Sequence, residues 1–351
     1  MRTKHMIFIL SLALVFLASN AQAEYKMGDY DLNSTVGAGA LSTNGAEEKS
    51  AQFNTYRDIR NPLVLSNAEL AAAKGAFHTE FSAKQIGMKD QSYVLTGGSY
   101  GTFEYSLFYD AIVHNYSINQ KTYYNTDLKS GTLTYDTGAL GTGTGSANGF
   151  LNSALWTNGF NYAMESKNVG FDVRYTTDGP LFANVGVSQK KEDGFKPTST
   201  SLNQRTNFVE IPEPIDYKTT DLTAGVGLRG DHFMVTVDGT YSEFKNAIES
   251  VRFQNPFLAT TQRLETFSLP PDNKYLKGQV KGRWSDLPFD STLTGGVGYS
   301  KLTNTVKIPT TITNNFTSGG TGTQGGEIDL SNKIWKNGAV TDEFEGDVSY
   351  G

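Results

Sequence analysis

Between residues 215 and 246, apolar and polar side chains alternate with a period of two on either side of a polar break at Arg229-Gly230-Asp231-His232. Before the break, Leu222, Ala224, Val226 and Leu228 fall on one face and Thr223, Gly225 and Gly227 on the other. After it, Phe233, Val235, Val237, Gly239 and Tyr241 alternate with Met234, Thr236, Asp238, Thr240 and Ser242. Successive side chains of a strand point to opposite faces, so each run is a strand that is apolar on one side only. Gly230-Asp231 has the chemistry of a tight hairpin turn. Both runs exceed the usual strand of about five or six residues and match the ~9–11 tilted residues that a bilayer demands of a barrel wall. The hairpin reads as one unit of a transmembrane β-barrel. Phe233, Val235, Val237 and Tyr241 then face lipid, and Thr236 and Asp238 face the lumen.

The same device recurs along the chain. Residues 28–41 alternate, with Tyr30, Leu32, Val36, Ala38 and Ala40 on one face, and residues 51–59 are expected to return beside them after an Asn44-Gly45 turn. Residues 62–73 fit a strand or a short helix, and 75–85 and 91–96 are further strands. In 100–112, Phe103, Tyr105, Leu107 and Tyr109 oppose Thr102, Glu104, Ser106 and Asp110, with Phe108 breaking the polar side. Residues 113–167 read as one long irregular loop. Strands resume at 169–176, with Phe171, Val173 and Tyr175 outward and Asp172 and Arg174 inward, and at 181–188 across Asp178-Gly179-Pro180. Loops at 190–214 and 247–271 flank the 215–246 hairpin. Strands at 274–284 and 289–301 follow, the second with Leu293, Val297 and Tyr299 on one face. A loop over 303–332 leads to a last run at 344–350. Short turns alternating with long loops predict an all-β fold, an antiparallel barrel of the outer membrane with about a dozen strands. Val348-Ser349-Tyr350-Gly351 falls within an apparent strand. A partial sheet leaves unpaired edges in hydrocarbon, so the barrel over 24–351 is expected to be part of a larger one, incomplete at its C-terminus.

The leader sets the compartment. Arg2, Lys4 and His5 precede an apolar run from Met6 to Ala18 that ends in Ser19-Asn20-Ala21-Gln22-Ala23. This is the pattern of a cleaved secretory signal peptide over residues 1–23, with Glu24 as the first mature residue. No later stretch approaches the ~18 apolar residues of a membrane-spanning helix. A membrane-embedded mature chain therefore crosses as a closed barrel.

Composition narrows the chemistry. Hydrophobic residues make up 38% of the chain and charged residues 19%, which suits a barrel but equally a secreted sandwich or solenoid. The formal charge of −6 falls to −8 without Arg2 and Lys4, a balance that argues against nucleic acid as a partner. There is no cysteine, which excludes disulfides, thiolate metal sites, a catalytic cysteine and covalent c-type haem attachment. His78, His114 and His232 lie far apart with no zinc-ligand spacing. Glu210, Glu213 and Asp216, beside Pro212 and Pro214, fit a solvated loop better than a general-acid pair or a calcium site. The Gly141-Thr-Gly143-Thr-Gly145 tract lacks the Lys-Ser/Thr of a phosphate loop and reads as a flexible loop. Nothing here assembles a catalytic set, so no enzyme is expected. Lys277, Lys281 and Arg283 share the inward face of one strand. Ordinary lumen polarity accounts for them, and they are also the candidate contacts for an acidic partner inside the lumen.

Several stretches resemble the MtrB/PioB family of decahaem-associated outer-membrane proteins. They are the segment from Glu210 to Val226 with its Pro-Glu-Pro-Ile-Asp-Tyr, Gly230-Asp231-His232-Phe233, Phe244-Lys245-Asn246, Phe253-Gln-Asn-Pro-Phe257 and Leu269-Pro-Pro-Asp-Asn273. Phe53-Asn-Thr-Tyr-Arg-Asp58, Asp90-Gln-Ser-Tyr93, Tyr105-Ser-Leu-Phe-Tyr-Asp110 and His114-Asn-Tyr-Ser117 match as well, so the similarity covers most of residues 28–300. The resemblance implies a large outer-membrane barrel that sheathes and positions a periplasmic multihaem c-type cytochrome for extracellular electron transfer. An extracellular multihaem cytochrome is a further partner it implies. Haem belongs to the cytochrome and not to this chain. Two features depart from the family: the chain lacks the N-terminal Cys-x-x-Cys of some members, and family barrels are considerably larger. The alternative is a general porin or solute channel.

Overall fold

The computed structural model describes residues 19–40, 50–57, 63–135, 156–201, 208–254, 264–305, 311–314, 326–329 and 339–350. These form β1 (Ser19–Met27), β2 (Tyr30–Ala40), β3 (Leu63–Lys74), β4 (Phe77–Ile86), β5 (Ser92–Ser99), β6 (Phe103–Thr122), β7 (Thr132–Leu133), β8 (Asn158–Thr176) and β9 (Leu181–Ser201). They continue with β10 (Phe208–Arg229), β11 (Phe233–Asn246), β12 (Ser250–Gln254), β13 (Leu264–Ser268), β14 (Asp272–Leu287), β15 (Ser291–Thr305), β16 (Thr311–Asn314), β17 (Gly326–Asp329) and β18 (Ala339–Tyr350). One 13-stranded sheet runs β1-β2-β3-β4-β5-β6-β8-β9-β10-β11-β14-β15-β18, antiparallel throughout, as the dozen predicted strands require. Among the described residues the sheet is open, with β1 and β18 each paired on one side only.

The connections divide by length. Residues 28–29, 75–76, 100–102, 177–180, 230–232 and 288–290 turn the chain at one end of the sheet. At the other end lie 41–62, 87–91, 123–157, 202–207, 247–271 and 306–338. Barrels of the outer membrane show this asymmetry, with short periplasmic turns and long outer loops.

Directly opposed residues of an antiparallel pair share a face, so the register carries each face across the whole sheet. One row passes through Met27, Tyr30, Phe77, Phe103, Tyr175, Val226, Val237, Val280 and Val297. The neighbouring row on the opposite face passes through Lys26, Asp31, His78, Glu104, Arg174, Asn184, Asp238, Gln279 and Glu345. The first face exposes Tyr175, Val187, Leu222, Phe233, Val237, Leu276, Trp284 and Val297, with no covering layer among the described residues. So large an uncovered apolar face marks contact with something other than water. Phe108, the aromatic intruder on the polar face, lies over Gly170, where a Cβ would stand 2.3 Å from its Cζ. Glycine at 170 makes room for it.

Three expectations change above the apolar band. Of the strand expected over 51–59, residues 51–57 are instead a run of turns, with Asn54 N donating to Ser50 O (3.1 Å) and Phe53 N to Ser50 Oγ (3.2 Å), and 58–59 lie outside the described residues. The strand that pairs with β2 is β3, which also settles 62–73 as strand rather than helix. The segments expected as loops at 113–167, 190–214 and 247–271 contain the outer halves of β6, β8, β9 and β10 and all of β12 and β13. The alternation of apolar and polar residues ends at the edge of the hydrocarbon, but the hydrogen-bonded ladder does not. Pro212 and Pro214 sit inside β10 at no cost to that ladder. Asp216 O accepts from Ala247 N (3.0 Å) on the β11 side. By alternation both prolines turn their nitrogens the same way, beyond Tyr217, where β11 pairing stops. β15 runs on to Thr305, β16 and β17 form a small hairpin in the 303–332 stretch, and β18 begins at Ala339. The Gly141–Gly145 tract and residues 1–18 lie outside the described residues.

Candidate functional site

The polar face carries the candidate contacts. β14 places Lys277, Gln279, Lys281 and Arg283 opposite Thr240, Asp238, Thr236 and Met234 of β11. On its other side they face Ser300, Gly298, Gly296 and Thr294 of β15, and beyond these come Glu343, Glu345, Asp347 and Ser349 of β18. β15 is the low strand between a basic and an acidic one. Lys277 crosses it, Nζ donating to Glu345 Oε2 at 3.0 Å. A Cβ on Gly296 would come within 3.2 Å of Lys281 Cγ and 3.1 Å of Val280 O, so the glycine leaves the lane the long side chains lie in. The three cations are therefore unlike one another. Lys277 is held by the wall itself, whereas Lys281 and Arg283 form no ion pair with a described residue. With Thr236, Thr294 and Asp347 they line a cleft of about 280 Å³. Phe233, Val235, Val237 and Tyr241 lie together on the opposite face, against Trp284, Gly282, Val280 and Leu276.

At the long-loop end a second feature stands where irregular loops were expected. Tyr123, Tyr124, Leu128, Leu133, Tyr135, Ile211, Val251, Phe253 and Leu269 are buried together, with Trp156, Phe160, Phe195, Ile248 and Phe267 packed around them. β7 joins β12 in parallel and β13 completes a three-stranded sheet. Arg252 N donates to Gly131 O (2.8 Å), Tyr135 N to Gln254 Oε1 (2.8 Å) and Tyr124 OH to Gln254 O (3.2 Å). Gly131 takes a φ of 71° after a 3-10 turn over Leu128–Ser130, the left-handed conformation that glycine adopts without strain. Ile211, Glu213 and Ile215 continue the alternation of Asp221, Thr223 and Gly225, but Pro212 and Pro214 between them are buried as well, so β10 is covered on both faces at the module. Burial pushes the Tyr123 hydroxyl well above the ordinary phenol value, with Tyr124 adding to it, and burial raises Tyr135 as well. Glu213 is buried and pairs with Lys196 at 2.8 Å. Burial alone would lower the Lys196 ammonium, but its hydrogen bond and charge interaction with Glu213 raise it overall.

The other candidates separate. Glu213 and its neighbours Glu210 and Asp216 lie on a strand rather than a solvated loop, and alternation puts Glu213 on the face opposite the other two. His78 stacks on Tyr100 (4.2 Å), His114 sits between Tyr56 (4.6 Å) and Tyr116 (4.1 Å), and His232 pairs with Asp286 (2.6 Å). Among the described residues no group of histidine and carboxylate side chains could hold a metal ion, and no helix is long and apolar enough to cross a membrane. Reading the sequence by its periodicity missed the module, since its core residues come from three loops with no common period. The aromatic pair Tyr123-Tyr124 and the nearby Phe253 and Phe267 were the available signals.

Comparison with known proteins bears on the whole wall. The chain is 24% identical over 255 residues to "Outer membrane protein MtrB" of Shewanella baltica (strain OS185), covering 72% of this chain and 36% of that one. It thus spans little more than a third of the curated relative it matches. Among solved structures it is similar to in-vitro folded OmpT, an outer membrane protein of Vibrio cholerae, at 9% identity and a TM-score of 0.34, over 95% of this chain and 88% of that one. It is also similar to the open form of the ferric-catecholate import receptor Fiu of E. coli K12, at 11% identity and a TM-score of 0.35, over 94% and 50%. Neither structural likeness is close enough to bear on function. Residues 45–336 match the family described as "Putative outer membrane beta-barrel porin, MtrB/PioB". With that match covering most of its length, the chain belongs to the MtrB/PioB family, as a β-barrel protein of the outer membrane.

Proposed function

We propose that this chain builds the wall of an outer-membrane barrel that sheathes and positions a periplasmic multihaem c-type cytochrome for extracellular electron transfer. Family membership over residues 45–336 is the observation that carries this reading. The chain has no cysteine, so it attaches no c-type haem of its own. The redox chemistry then belongs to the cofactors of the partner, which the wall insulates and orients. No catalysis by the wall is needed. The exposed apolar face, with Phe233, Val235, Val237 and Tyr241, meets lipid, and the polar face meets the lumen. Lys281 and Arg283 are the contacts left for haem propionates or acidic side chains of the cytochrome, with Lys277 already engaged by Glu345. An extracellular multihaem cytochrome would dock beyond the long loops. Export proceeds through removal of residues 1–23.

The second reading is a general porin or solute channel. It is favoured by the mixed charges that run through Asp31, Glu104, Arg174 and Asp238 on the polar face, which suit a water-filled lumen. Liposomes that carry the barrel, with and without the cytochrome, separate the two. An external reductant should reduce a trapped dye only when barrel and cytochrome are both present. A purified barrel that brings down no haem protein and passes small solutes freely would establish the channel instead.

A further inference from the structure

One register row on the apolar face is basic where the rows on either side of it are not. Lys167 on β8 stands directly opposite Lys191 on β9, Lys191 opposite Lys218 on β10, and Lys218 opposite Lys245 on β11. All four side chains are exposed. Like charges directly opposite one another destabilise a sheet, and this row repeats the conflict at each of its three junctions. Among the described residues, ion pairs relieve it only at the ends. Lys167 pairs with Glu165 (3.3 Å) and Lys245 with Glu243 (3.4 Å), and these carboxylates are shared with Lys89 and Lys274. On the next row outward, Asp193 is held by Lys129 at 2.5 Å, which leaves Asp216 opposite it as the remaining carboxylate. The two central lysines, Lys191 and Lys218, form no ion pair with a described residue.

The row also has a defined height. Leu228 is the outward residue of β10 nearest the short turn, and Leu222, Ala224 and Val226 follow it before Thr220 and Lys218. At ~3.3 Å per residue and a tilt of ~40°, that stretch spans about 25 Å, the height of the apolar band of a barrel. The Lys218 ammonium therefore sits where the hydrocarbon ends on the long-loop side, at the level of lipid headgroups, and because a register row of tilted strands climbs about 3 Å per strand, Lys191 and Lys245 lie about 3 Å and Lys167 about 6 Å from that level. Long lysine stems lie along apolar surface while their charged heads reach the interface.

We propose that the row Lys167, Lys191, Lys218 and Lys245 binds the phosphate groups of anionic lipid in the leaflet on the long-loop side. The lipid phosphates pair with the two central lysines, which form no ion pair with a described residue, and so fix the height of this sector of the wall. The inference rests on the membrane-spanning barrel and is independent of what fills the lumen.

The full-length barrel in detergent can be titrated with lipid A bearing its phosphates, with lipid A stripped of them, and with inorganic phosphate. The phosphorylated lipid should bind roughly 10-fold more tightly than the stripped one, and inorganic phosphate should not displace it. The double variant Lys191→Gln/Lys218→Gln should lose roughly 10-fold in affinity for phosphorylated lipid A, whereas Lys191→Arg/Lys218→Arg should keep it. Heat-dependent gel mobility reports whether each variant has folded. Should the glutamine variant not assemble, the two lipids on the native barrel and the arginine variant still decide. Equal affinity for the two lipids, unchanged binding by a folded glutamine variant, or displacement by inorganic phosphate would each overturn the proposal.

Discussion

Lys277 and Glu345 bond at 3.0 Å from strands that are not neighbours, with the glycines of β15 lying beneath the contact. The bond removes Lys277 from the set of free cations and ties β14 to β18. For a partner entering the lumen, Lys281 and Arg283 remain. Lys281→Glu/Arg283→Glu should sharply reduce the multihaem cytochrome that co-purifies with the barrel, and Lys277→Gln should leave it near wild type. Haem absorbance per mole of purified barrel measures this. Equal loss in both variants would mean that the stripe acts through wall stability and not through contact.

The two faces of β11 should respond differently to charge. Val237 opposes Val226 and Val280 on the apolar face, and Asp238 opposes Gly225 and Gln279 on the polar one. An arginine at a lipid-facing midplane site costs about 2–4 kcal/mol. Val237→Arg should therefore impair assembly into the outer membrane well beyond Asp238→Arg. The yield of heat-modifiable, folded barrel is the readout. The reverse order would place lipid on the other face.

The aromatic module should come apart before the sheet. Phe253 is 2% exposed at its centre, and truncating a buried phenylalanine to alanine costs about 3–5 kcal/mol. Phe253→Ala should speed hydrogen exchange through residues 123–135 and 250–254 while the ladder of β10 with β11 keeps its protection. Uniform loss of protection would show that module and sheet fold as one unit.

Alkaline pH should open the same region. Burial raises the Tyr123 hydroxyl, and Glu213 raises the Lys196 ammonium against the effect of its burial. A group with a raised folded-state value contributes stability that is complete below its unfolded value and is lost as pH climbs through the folded one. Both contributions are therefore intact at neutral pH and fade above about pH 10. Tyrosinate absorbance should appear in a late, cooperative step, and Tyr123→Phe should shift that step. Simple titration of every tyrosine near pH 10 would show that the module offers the hydroxyl no protection.

Processing should begin the mature chain at Glu24. The bond between Ala23 and Glu24 lies within β1, which pairs with β2 from Ser19 onward. Cleavage there leaves Glu24–Met27 of that strand opposite Tyr30–Asn33. Intact-mass measurement of the protein extracted from membranes checks the cleavage site. A chain that retains residues 1–23 in the membrane would make the leader an anchor.

What the sequence determined by itself was local. A period of two assigns each side chain to a face as soon as a run is recognised as strand, so Val235 and Lys281 could be placed before any partner strand was known. Glycine at the short turns and the absence of cysteine were equally legible. Everything that depended on register was not. Lys167, Lys191, Lys218 and Lys245 are ordinary exposed lysines in the sequence and become a row only when four strands are aligned. The Lys277 bond to Glu345 needs two successive registers, and Tyr124 meets Gln254 across 130 positions. The outer halves of β6, β8, β9 and β10 were hidden for a related reason. Hydrocarbon on one face and water on the other impose the alternation, and beyond the bilayer that contrast is gone. There the fold is decided by which distant aromatic side chains exclude water together, a property of the assembled sheet and not of any stretch of it.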